Sequence, residues 1–67
     1  MEPKEIFELI IKADERLKYA TDANRAAREQ QATELLGEAL AAARAIDDPG
    51  LVAQAEQRLA DLGEAAG

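Results

Sequence analysis

The sequence predicts an all-α fold, three antiparallel helices at about residues 3–20, 24–46 and 49–62 in a single domain spanning 1–67. Three observations carry that expectation. Sixteen of the 67 residues are alanine, the strongest helix former and a weak strand former. Apart from isoleucine, the only β-branched residues are Thr21, Thr33 and Val52, and no alternating apolar–polar run reaches a useful strand length. The large apolar residues instead recur every three or four positions, in runs separated by two clusters of capping and turn residues.

The first helix starts at Pro3, a residue suited to the first helical position because its missing N–H would have no partner there. Ile6, Ile10, Ala13, Leu17 and Ala20 follow at 4-3-4-3 spacing and make one continuous face. Leu9 widens that face on one side, and Phe7 with Ile11 widens it on the other, to an arc of about 200°. Lys4–Glu8, Glu8–Lys12 and Asp14–Lys18 lace the polar side at i,i+4. The wide arc has two readings. Either this helix is sandwiched between the other two and needs two apolar faces, or one edge stays exposed for a partner or a second copy.

A tight turn is expected at 21–24. Thr21, Asp22 and Asn24 are N-cap formers clustered in four positions. Continuing the stripe past Ala20 would put Asn24, Gln31 and Glu34 on the apolar face. The second helix buries Ala32, Leu35, Leu36, Ala39, Leu40, Ala43 and Ile46. Its first two turns offer only Ala26 and Ala27, so that end is weakly anchored. Gly37 in the interior suggests close approach of a neighbouring helix, with a hinge as the other reading.

Asp48 and Pro49 then read as the N-cap and first residue of the third helix, whose apolar face is Leu51 or Val52, Ala55, Leu59 and Leu62. Arg44 places a cation at the negative end of the second helix. Gly63 reads as a C-cap, leaving 63–67 as a frayed tail. On these boundaries the second helix exceeds the third by about 14 Å.

Net charge is −6, unevenly distributed: residues 1–28 hold six acids and six bases, whereas residues 29–67 hold eight acids against Arg44 and Arg58. An acidic chain repels phosphate backbones and anionic lipid surfaces, so neither nucleic acid nor membrane is an expected partner. Arg25 and Arg28 read as solvated helix residues rather than a phosphate site. With no cysteine, no long apolar span and no signal-peptide pattern at the N-terminus, the expected location is cytoplasmic.

Chemistry is scarce. The chain has no His, Cys, Ser or Trp, so imidazole and thiolate constellations cannot be assembled. The four glycines are scattered at 37, 50, 63 and 67 and form no phosphate-cradling loop. Glu34 with Glu38, and Asp47 with Asp48, are read as a solvated acidic face and an N-cap. No catalytic residue, metal site or cofactor is expected.

The stretch LLGEALAAARAIDDPGLVAQAEQRLADLG closes the reading. Residues 32–63 resemble a junction inside tetratricopeptide-repeat proteins, especially the long-repeat kind of bacterial transcription regulators. Gly37 and Ala41 are similar to the small positions of a repeat's second helix, Pro49 to the proline closing a repeat, and RLADLG to the end of the next first helix. The first helix lacks the family's Trp, Leu-Gly and Tyr pattern. A looser resemblance is to small three-helix modules that bind helical peptides in trafficking proteins. Both imply peptide or protein binding in an inter-helix groove and no enzymatic activity. The expected function is therefore a protein-interaction module contacting a helical or extended peptide through Phe7, Ile11 and Tyr19, the tyrosine being open to a second reading as cover for the 21–24 turn. The alternative is a self-associating structural or designed helical bundle without biochemical activity.

Overall fold

The computed structural model describes residues 1–66, and the side chains of residues 1–64. The chain forms three helices, α1 (Pro3–Lys18), α2 (Arg25–Ala45) and α3 (Pro49–Ala66), and no strand among the described residues. The all-α architecture follows from the alanine content and the three-and-four spacing, which stabilise helices and offer nothing to a sheet.

Each boundary has a local cause. The α1 N-terminus is held by the Glu5 carboxylate, which accepts the Glu2 N–H at 3.0 Å. The helix closes on Tyr19, whose N–H donates to the Glu15 carbonyl at 3.2 Å, two residues before the expected end. In the following turn the Thr21 N–H donates to Asn24 Oδ1 at 2.6 Å, and the Asn24 N–H donates back to the Thr21 carbonyl at 3.2 Å. Asn24 was expected among the N-cap formers. Its side-chain oxygen is engaged by the turn behind it, and it gives α2 no side-chain cap.

The α2–α3 connection is a two-sided cap. Asp48 N–H donates to the Ala43 carbonyl at 3.0 Å and Asp47 N–H to the Arg44 carbonyl at 3.2 Å, the paired bonds of a Schellman motif. The left-handed residue this motif requires is Asp47, at φ 54°, where glycine is usual. Asp48 then caps α3 as expected, its Oδ1 accepting the Leu51 N–H at 3.1 Å.

Two glycine expectations fail. Gly63 does not end α3, which continues to Ala66; none of the described glycines adopts positive φ, and Glu64-Ala65-Ala66 are good helix formers. The expected frayed tail is thus helical as far as Ala66, while Gly67 lies outside the described residues. In consequence α2 and α3 have 21 and 18 residues, so the expected length mismatch shrinks to about 4.5 Å. Gly37 has no neighbouring atom within 4 Å of the position a Cβ would take. It lies on the exposed side of α2, next to fully buried Leu36, so no close helix approach calls for it.

The middle helix is α2. It packs against both α1 and α3, which touch each other only sparingly, and the molecule is a flattened slab of 37 × 21 × 13 Å. A sandwiched α1 is therefore ruled out. The core is a seam of Ile6, Ile10 and Ala13 from α1, Ala32, Leu36, Ala39 and Ala43 from α2, and Leu51, Ala55 and Leu62 from α3. Half of these are alanines, so the large buried side chains of the outer helices meet a shallow, small-residue stripe on α2. Leu9, Leu17, Leu35, Leu40, Val52 and Leu59 pack around its margin.

Candidate functional site

The three residues expected to contact a partner divide between two flanks of α1. Phe7 and Ile11 share a helical strip with Asp14 and Lys18, at 4-3-4 spacing. Asp14 fixes which way that strip looks: its two carboxylate oxygens accept the Arg58 Nε–H at 2.9 and 3.2 Å, so the strip is turned toward α3. Phe7 is 43% exposed and Ile11 36%, and α3 makes only sparse contact with α1. The edge that the wide apolar arc left in question is uncovered.

The Asp14–Arg58 pair links α1 to α3 at the edge of an open channel between them. Beyond it, toward the C-termini of the two parallel outer helices, a depression is lined by Leu17, Ala20 and Leu62, with Arg25 and Glu29 of α2 on its rim. This channel between the outer helices is apolar below, charged at the edges and made by all three helices; Phe7 and Ile11 lie further toward the N-terminus of α1 and are not among its lining residues.

Tyr19 lies on the other flank. It is 67% exposed, caps the C-terminus of α1, and shares a depression with Lys12, Glu15 and Arg16 of α1 and Arg28 of α2. Lys18 Nζ sits 5.5 Å from its ring centroid, within cation–π range. A second depression continues from Arg16 along the same α1–α2 boundary and is lined by Gln31, Glu34, Leu35 and Glu38. The sequence reading of Arg28 as a solvated residue missed this grouping, because Arg28 and Lys12 are brought together only by the antiparallel packing of α1 on α2. Arg28 is half-buried and donates to Gln31 Oε1 at 3.2 Å.

Among the described residues only two ion pairs form, Arg58–Asp14 and the fully solvated Arg25–Asp22. No buried polar side-chain atom among the described residues is left unsatisfied. No group of three acidic side chains among the described residues converges as metal ligands would. Glu34 and Glu38 stand together on the surface of α2, and Asp47 and Asp48 are both occupied in the α2–α3 connection. No helix among the described residues is long and apolar enough to cross a membrane.

No family model matches the chain, and no curated protein and no solved structure matches it.

Proposed function

We propose that the chain is a non-catalytic protein-interaction module that docks a helical or extended peptide segment in the channel between α1 and α3. The observation that carries this reading is the pair of large apolar side chains, Phe7 and Ile11, left exposed at i,i+4 on the flank turned to that channel. An exposed i,i+4 pair on the same flank of α1 as the channel suits the apolar face of a docked helix, whose anchors recur at the same spacing. The Leu17–Ala20–Leu62 depression extends the apolar surface past the Asp14–Arg58 bridge. The tetratricopeptide-like hairpin of residues 32–63 supports the same kind of role, and we place the protein in the cytoplasm. No cofactor takes part, and the scarcity of nucleophiles and bases sets enzymatic activity aside.

The test is a selection of helical peptides on the whole chain, followed by amide chemical-shift mapping of a selected peptide. Shifts should concentrate on residues 4–17 of α1 and on the channel side of α3. Phe7→Ala and Ile11→Ala should each weaken binding by about 1–2 kcal/mol, above the near-neutral majority of interface truncations and short of a hot spot, with helical circular dichroism unchanged. A peptide whose shifts fall elsewhere, or whose affinity ignores both substitutions, ends the proposal. A second reading, self-association, is favoured by the charge layout on the opposite flank.

A further inference from the structure

The two depressions along the α1–α2 boundary carry opposite charge and share Arg16 as their border. On one side stand Lys12, Arg16 and Arg28, opposed only by Glu15; on the other stand Glu34 and Glu38. Among the described residues neither Lys12 nor Arg16 forms an ion pair, and neither do Glu34 and Glu38. One face thus presents a cationic half followed by an acidic half. A surface with that order is self-complementary under a two-fold rotation, because an isologous contact sets each half against the other half of its partner.

We propose that this α1–α2 face pairs with the same face of a second copy, in an antiparallel, two-fold dimer. Arg28 of each copy faces Glu38 of the other, and Lys12 of each copy faces Glu34 of the other. Tyr19, the most exposed of the chain's large apolar side chains, lies at the cationic end and so covers the alanine-rich C-terminal half of the other copy's α2. The second copy is the occupant the charges favour. A purely acidic or purely basic partner would match one half of the face and be repelled by the other. Exposed ion pairs contribute little each, so the dimer is weak and depends strongly on ionic strength. This inference is independent of the α1–α3 channel and of the peptide-docking role proposed for it.

Sedimentation equilibrium over roughly a hundred-fold concentration range, at about 50 mM and about 500 mM NaCl, is the experiment. The 7.2 kDa chain should approach twice its mass at low salt, with an association constant that falls about tenfold or more at high salt. Arg28→Glu alone and Glu38→Arg alone should each abolish pairing, since each homodimer then holds two like-charge contacts. An equimolar mixture of the two variants should restore it, because in the mixed dimer one contact is native and the other merely reversed. Lys12→Glu with Glu34→Lys, both at exposed positions, repeats the exchange should either first variant fail to fold. A monomer at every concentration overturns the proposal, as does a dimer indifferent to salt and charge exchange. A dimer lost in Phe7→Ala but kept in Arg28→Glu also overturns it and assigns self-association to the channel instead.

Discussion

Two single residues work against the helices that contain or adjoin them, and the environment of each decides the sign of its replacement. Gly37 is in mid-helix with open space where a side chain would be, so it carries the entropic cost of glycine with no packing reason for it. Gly37→Ala should raise stability by about 1 kcal/mol, read as an increase of about 4–8 °C in Tm; a fall would show that the position contacts something in solution. Asp47 is held at φ 54°, a region costing ordinary L-residues about 1–2 kcal/mol and Asp or Asn less. Asp47→Ala should therefore destabilise the chain by about 1 kcal/mol, while Asp47→Gly should not. Equal losses in urea titrations of both variants would mean that the carboxylate, rather than the backbone angle, is what matters there. Next to Gly37, Leu36 is one of only three large side chains with no exposure at all. Leu36→Ala should cost about 2–5 kcal/mol, a large part of the roughly 3–10 kcal/mol expected for a domain of this size.

At the scale of the element, the N-terminus of α2 is less well held than those of α1 and α3. Its would-be cap, Asn24, spends its side-chain oxygen on Thr21, its first turn has no acid, and Arg25 places a cation at the positive end of the dipole. The first fully buried residue of this helix is Ala32. Ala27→Glu, at an exposed position, should add about 0.3–1 kcal/mol by opposing the dipole, and the gain should shrink as salt is raised. A gain independent of salt would point to a new contact, since glutamate has the lower helix propensity of the two. The three helices themselves were legible from alanine content and apolar spacing, and Asp48-Pro49 marked the start of α3 correctly, because capping chemistry is local. The α1–α2 turn was legible as a cluster of capping residues, but which N–H the Asn24 side chain would accept depends on the path of the turn. Gly63 misled for a related reason: glycine ends a helix only where the backbone turns left-handed, and nothing after it forces that turn.

The whole molecule turns on α2, and that was not legible. Short connections make α2 a neighbour of both other helices, but they leave the distance between α1 and α3 free. The width of the apolar arc on α1 admitted a sandwiched position as readily as an exposed edge. The actual slab leaves that edge, Phe7 and Ile11, uncovered, and puts the charged face of Lys12, Arg16 and Arg28 on the opposite flank. The charged grouping draws on two helices, and the exposure of the apolar edge depends on where α3 lies. The same arrangement predicts how the protein opens. The outer helices have little hold on each other, so each is anchored almost entirely through the Ala32–Ala43 stripe. Local fraying can release the turns at the slab's edges, but exposing that stripe requires both outer helices to leave. Amides of residues 32–43 should therefore exchange with solvent only through global unfolding, with an exchange free energy equal to that from urea titration. Amides of 25–31, which lie N-terminal to that buried stripe, should exchange with a lower free energy. If α1 or α3 instead held the slowest amides while 32–43 exchanged through smaller openings, α2 would not be the keystone of the fold, and the two flanks would no longer be fixed relative to one another.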